Sequence, residues 1–248
     1  MSFAALMYHE IRESHTLHPG QPSPIDVKQA YQDLLPAPLF VTLENFRAQM
    51  EYLFKNGYHT LTLEEVIDYY YRDKELPAKS VLLTFDDCYQ SIRQYAYPIL
   101  KEYSFHAVAF VVTGWLHSAP KTFQPEKSVC MSEAELAGMR DVFEYANHTD
   151  QFHTRSGEAS AMMLRDDQAF SEDLDLCSAH SIIRAKTVFA YPFGFFTDRN
   201  VALLRNKGFH LAFTSENGRN DKAMDPLLLN RNAIPYFMEF TEFQNILG

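Results

Sequence analysis

Six short apolar runs recur along the chain, and each reads as a strand: Phe3–Tyr8, Ser80–Phe85, Ala107–Thr113, Val142–Ala146, Thr187–Tyr191 and His210–Thr214. They are rich in Val, Phe and Tyr and mostly continuous rather than alternating, the pattern of strands buried on both faces. Between them lie segments with apolar residues at helical spacing: Thr42–Asn56, Leu63–Tyr71, Tyr89–Tyr103, Ser132–Arg140, Asp167–Ile183 and Asp198–Asn206. Thr42, with Asn45 and Phe46 behind it, reads as an N-cap, and Gly57 and Gly208 stand where helix C-termini favour glycine. Strand–helix alternation over the whole length predicts an α/β fold on a parallel sheet. Six or seven such units without a strong linker suit one domain over residues 1–248, a closed or nearly closed barrel, better than two halves.

Two segments interrupt this rhythm. Residues 14–38 carry Pro19, Gly20, Pro22, Pro24, Pro36 and Pro38 and read as an excursion on one face. Residues 117–129, with Pro120 and Pro125, form a second long loop. Long loops in compact domains are either functional or disordered, and both readings stand here. No internal repeat or low-complexity tract is present.

Composition narrows the class. Apolar residues make up 46% of 248, ample for a full-sized core. With 22 Lys and Arg against 32 Asp and Glu, the net charge of −10 argues against nucleic acid or anionic lipid as a partner, since a phosphate footprint needs clustered cations. No stretch approaches the roughly 18 apolar residues of a transmembrane segment. The start, Met1 to His9, has no positive region and meets His9 and Glu10 too soon for a signal peptide. Three cysteines do not make a disulfide framework. The expected location is cytoplasmic as the chain is written, or extracytoplasmic if it is a trimmed mature form. Nothing in the pattern speaks to oligomeric state.

Candidate chemistry gathers at strand ends. Val81-Leu82-Leu83-Thr84-Phe85-Asp86-Asp87-Cys88 is a buried strand delivering two adjacent carboxylates at its C-terminal end, where barrel enzymes place reacting groups. Two such carboxylates repel, so one is expected to be protonated or neutralised by a cation; the plainer reading is an Asp helix cap. In Asn147-His148-Thr149-Asp150-Gln151-Phe152-His153 the histidines stand five apart, ~500° around a helix, and converge only if the segment leaves a strand and turns. Two imidazoles and a carboxylate, Asp87 completing the set, make an open metal site; otherwise they are two histidines on a polar loop. Tyr191-Pro192-Phe193-Gly194 is a strand-to-loop turn able to aim a backbone N–H into a pocket. His9, at the end of the first strand, is either a hydrogen-bonded core histidine or a member of the same rim.

In combination and in order, these motifs resemble the polysaccharide deacetylase family, carbohydrate esterase family 4. The residues that carry the resemblance are Thr84-Phe85-Asp86-Asp87, His148-Thr149 with His153, and Tyr191-Pro192-Phe193-Gly194. They are flanked by Tyr8-His9, Phe46, Gly57-Tyr58, Tyr97-Pro98 and Gly208-Phe209 with Ala212-Phe213-Thr214, so the likeness runs from about residue 3 to about 240. The five-residue histidine spacing is similar to that of the branch containing bacterial poly-N-acetylglucosamine deacetylases. The resemblance implies a distorted (β/α) barrel with fewer than eight strands and a divalent metal, usually zinc, at its C-terminal rim. It implies Asp87, His148 and His153 as metal ligands, Asp86 as general base, and the Phe193 N–H as oxyanion donor. It further implies removal of an acetyl group, N-acetyl above all, from an acetylated sugar or glycan substrate. No histidine follows His210, so the acid for the departing amine maps onto His9, as in the branch with permuted motifs; Arg231 is the candidate to orient Asp86.

The sequence departs from the family pattern in three places. Cys88 replaces the glycine after the paired aspartates and is expected to crowd the rim or add a thiol to it. The usual arginine of the third motif is absent, and Asn147 stands where this branch often has serine. Two other readings follow. One is a sugar-binding or regulatory member without turnover. The other is a non-haem iron oxygenase using the His-x-Asp spacing of His148 and Asp150, which would require a double-stranded β-helix.

Overall fold

The computed structural model describes residues 1–21 and 23–248; Pro22, one of the excursion's prolines, lies outside the described residues. The principal elements, in chain order, are β1 (Ser2–Tyr8), α1 (Leu43–Lys55), α2 (Leu63–Tyr71), β2 (Ser80–Asp86), α3 (Tyr97–Glu102) and β3 (Ala107–Val111). There follow α4 (Glu133–Ala137), β4 (Phe143–Asn147), α5 (Asp167–Ala179), β5 (Ala185–Ala190) and α6 (Asp198–Asn206). The chain ends with β6 (Leu211–Phe213), β7 (Asn232–Ala233) and α7 (Phe240–Leu247).

All seven strands pair in parallel, in the order β6-β5-β4-β3-β2-β1-β7. The sheet curls until its edges are joined by one segment. Leu229 donates to Ala212 O at 2.9 Å and accepts from Thr214 N at 2.8 Å beside β6, and three residues later the chain pairs with β1 as β7. The result is a distorted (β/α) barrel short of eight strands, with an irregular seam where Leu229–Ala233 replaces regular pairing. A short antiparallel strand, Arg219–Asp221, covers the start of β1.

Strand periodicity decides what faces inward. Phe3 and Ala5 of β1, Leu82 of β2, Val108 and Phe110 of β3, Val188 and Ala190 of β5, and Phe213 of β6 form one buried cluster with Leu63, Val66 and Tyr69 of α2. Continuing the alternation from Leu82 puts Thr84 and then Asp86 on the same side, so the last residue of β2 arrives at the mouth of the barrel. Alternate residues, Leu6, Tyr8, Leu83 and Phe85 among them, pack outward with Phe46 and Met50 of α1 and Ile99 of α3.

Local signals set the helix ends. The Thr42 hydroxyl accepts from Asn45 N at 3.1 Å. Thr62 with Glu65, and Thr197 with Asn200, form reciprocal capping boxes that start α2 and α6. Residues 89–103, expected as one helix, contain a π-type turn over Ile92–Ala96 before α3 begins. Pro98 has no N–H for the regular ladder, which accounts for the break. The strand expected to reach Thr113 ends at Val111, and Thr113–Trp115 winds into a single 3₁₀ turn.

The two long loops join each other. Ser23–Asp26 of the excursion pairs antiparallel with Leu34–Leu35 and parallel with Ser128–Val129 of the second loop. Beneath them the buried Arg12 donates from Nη2 to Ser23 Oγ at 2.8 Å and to Ser128 Oγ at 3.1 Å. The described part of the excursion thereby forms a wall beside the barrel mouth. Among the described residues no helix is long and apolar enough to cross a membrane.

Candidate active site

A cavity of about 320 Å³ opens at the C-terminal ends of the strands. His9, Asp86, Asp87, His148, His153, Phe193 and Arg231 all line it, so the structure gathers the residues to which the resemblance gave a catalytic or metal-binding part. The excursion contributes Ile25, Asp33, Leu34, Leu35 and Pro36 to one side, with Leu39 just after it.

Asp86 ends β2 and is fixed from the seam. Arg231 donates from Nη1 to Asp86 Oδ1 at 2.6 Å and from Nε to Thr214 O at 2.9 Å. The other carboxylate oxygen stands 3.7 Å from His9 Nε2 and 3.9 Å from His148 Nε2. Burial would raise this carboxyl, but Arg231 and the two imidazoles outweigh it and hold Asp86 well below the usual range. It is therefore ionised at neutral pH.

Asp87 begins the turn after β2 with φ 67°. Its Oδ1 is 3.3 Å from His153 Nε2 and 3.8 Å from His148 Nε2, and it is buried with no hydrogen-bond partner among the described residues. Burial and then the Asp86 charge push the Asp87 carboxyl well above its ordinary value. An ionised Asp87 here needs a positive partner, and the described side chains donate no hydrogen bond to Oδ1.

The histidines are built to be neutral. His148 follows β4 and its Nδ1–H donates to Ala190 O at 2.8 Å, which leaves the Nε2 lone pair facing Asp87. Burial lowers His148, against the opposing pull of Asp86, and lowers His153 further with help from His148. The ligand atoms of Asp87, His148 and His153 lie within 4.8 Å of one another. Two neutral imidazoles and an orphaned carboxylate oxygen fit a divalent cation, and this buried group could bind one.

The loop between the histidines turns at Thr149, φ 76°, and is held from below. Asn147 Oδ1 accepts from Thr149 N at 2.8 Å, while Asp173 of α5 accepts from Asp150 N at 2.9 Å and Gln151 N at 2.7 Å. Sequence reasoning missed Asp173. The available signal was an acidic residue on the apolar stripe of α5, between Phe170 and Leu174. It also missed Trp115, whose ring meets His153 edge-on at 4.5 Å.

At the end of β5, Phe193 (φ 60°) and Gly194 (φ 71°) make consecutive left-handed residues. Gly194 N and Phe195 N bond to Tyr191 O and Pro192 O, bonds in which the N–H of the cavity-lining Phe193 takes no part.

Two expectations need correction. Cys88 neither crowds the rim nor offers a thiol to it: its side chain turns into the outer core, with Sγ 3.7 Å from Phe110 O and the thiol pushed well above its usual range by burial. Its φ of 58° shows why glycine suits that position. The oxygenase reading also fails. Asp150 points away from the cluster and accepts from Thr113 Oγ1 at 2.6 Å, and the parallel barrel is not a double-stranded β-helix.

A parallel barrel with an ionised carboxylate beside an Asp-His-His cluster at its rim defines a barrel hydrolase. Comparison with known proteins narrows this. The sequence profile of the polysaccharide deacetylase family matches residues 73–212, and the chain belongs to that family. It is a carbohydrate deacetylase. The poly-beta-1,6-N-acetyl-D-glucosamine N-deacetylase of Staphylococcus aureus is 25% identical over 208 residues, spanning 80% of this chain and 71% of that protein. The fold is similar to the Streptococcus pyogenes deacetylase PplD solved with acetate, with a TM-score of 0.78 at 22% identity over 100% of this chain and 99% of the other. It is also similar to IcaB of Ammonifex degensii, with a TM-score of 0.71 at 23% identity over 99% and 95%.

Proposed function

We propose that the protein removes N-acetyl groups from a glucosamine-containing glycan, of the poly-N-acetylglucosamine type, with zinc as cofactor and residues 1–248 acting as one catalytic domain. One observation carries the reading: the orphaned Asp87 Oδ1 and the two neutral histidines share a cavity with the ionised Asp86. Asp87, His148 and His153 would hold the cation, which when bound supplies a Lewis acid that acidifies water and polarises an acetamide carbonyl.

The other residues have distinct tasks. Asp86, kept ionised by Arg231, takes the proton of the attacking water at Oδ2. His9 Nε2, at 3.7 Å, receives that proton and passes it to the departing amine nitrogen. The Phe193 N–H donates to the oxygen that gains charge as the carbonyl is attacked. Arg231 orients Asp86 through its Nη1.

The test is acetate release from N-acetylglucosamine oligomers, with and without added zinc and with O-acetylated sugars alongside. Zinc-dependent release, fastest from the amide, is expected. Asp87→Ala should lose tight metal binding, whereas Asp86→Asn should keep the metal and lose about 10²–10⁴-fold in rate. No release with zinc present, or equal metal loss in both variants, would overturn the assignment.

A further inference from the structure

His148 and His153 are held in different ways. The His148 ring is fixed by its bond to Ala190 O, the usual support for a metal-binding imidazole. The His153 Nδ1 is buried and has no partner among the described residues, so its ring is oriented by packing.

That packing forms a closed circuit. The His153 ring lies between Trp115, at 4.5 Å between centroids, and Phe193, at 4.4 Å. Trp115 stacks on Tyr31 at 6.1 Å and 22°. The Tyr31 hydroxyl donates to Asp33 Oδ2 at 2.7 Å. Asp33 also accepts both Arg155 Nε at 2.8 Å and Arg155 Nη2 at 2.9 Å. The Arg155 guanidinium then returns over the Phe193 ring at 5.3 Å. The Pro-rich excursion, the 3₁₀ turn after β3, the end of the histidine loop and the turn after β5 are thus buckled around one imidazole.

We propose that Asp33 and Arg155 are positioning residues that close this clamp, fixing the His153 ring and, through Phe193, the turn that carries the Phe193 N–H. The inference rests on the reading of His153 as a metal ligand. The pair lies at the edge of the cavity. Its side chains are 20% and 35% exposed, and pairs so placed contribute little to stability. Its two-pronged geometry, which only arginine supplies, joins two segments far apart in sequence at the edge of the cavity.

The experiment uses Asp33→Asn, Arg155→Gln, the double variant and Arg155→Lys. Zinc affinity is measured against a chromophoric chelator, kcat and KM on N-acetylglucosamine oligomers, and the emission of Trp115, the chain's single tryptophan, on metal-free protein. Each single variant should weaken zinc binding about tenfold, lower kcat more than it raises KM, and shift Trp115 emission to the red. The double variant should be no worse than either single one, because one interaction is lost in all three. Arg155→Lys should recover only part. Additive losses would overturn the proposal, as would a raised KM in Arg155→Gln with Asp33→Asn unchanged, which would make Arg155 a substrate contact. Should the parent protein bind no zinc, the functional reading fails by itself. Unchanged Trp115 emission in the metal-free variants would then overturn the clamp separately.

Discussion

His9 shows how burial and charge compete at a single residue. A carboxylate 3.7 Å away favours an imidazolium. Burial is the larger effect, and Arg231 adds to it, so the ring is lowered to about 4 and is neutral at rest. Such an imidazole becomes a strong acid once Asp86 hands it a proton. His9→Ala should therefore keep the fold and the metal, lose amide deacetylation, and lose less on an activated aryl acetate, whose leaving group needs little protonation. The same shift has a stability consequence. Between pH 6.5 and 4 the unfolded chain binds a proton at His9 that the folded chain does not, so this residue destabilises the fold progressively as pH falls through that window and not above it. The melting temperature of His9→Ala relative to the parent should then rise from pH 8 to pH 4.5. A gap independent of pH, together with equal losses on amide and aryl ester, would make His9 a structural residue. Residue identities at this site were legible because each motif ends a strand. Asp33 and Arg155 were not, since a salt bridge between distant loops leaves no local pattern.

At the scale of elements, legibility followed local chemistry. Helices α2 and α6 begin at capping boxes and end where their apolar spacing ends, so their limits could be read directly. Strand β7 and the strand Arg219–Asp221 are short, carry no alternation, and exist only because β1 offers them an edge. The turn after β5 lies between these cases: Pro and Gly announced it, but its task depends on two successive left-handed residues. A side chain at Gly194 would stand 1.8 Å from Ser215 Oγ as well as at φ 71°. Gly194→Ala should therefore cost about 1–3 kcal/mol of stability and reduce activity at least tenfold, because Phe193 must move with its neighbour. Chemical denaturation and acetate release measure both. A variant with the parent's denaturation midpoint and rate would show that the turn's conformation is not needed for catalysis.

For the whole molecule, the seam is where fold and chemistry meet. Between β6 and β1 the barrel is closed by Leu229–Ala233, and Arg231 in that segment crosses the mouth to Asp86 at the end of β2. Arg231 is 1% exposed and also spans to Thr214 O, so one side chain ties three parts of the ring. A buried pair like this adds little net stability when intact, yet losing one partner strands the other charge at about 3–5 kcal/mol. Arg231→Met should lose that much in urea denaturation of the metal-free protein. Adding Asp86→Asn should restore part of it, since a neutral amide in that position no longer lacks a counter-charge. The pair would then be the feature that lets an ionised general base exist inside a closing barrel. If Asp86→Asn recovers nothing in the Arg231→Met background, the seam is held by its backbone bonds alone, and Arg231 would not be what keeps Asp86 ionised.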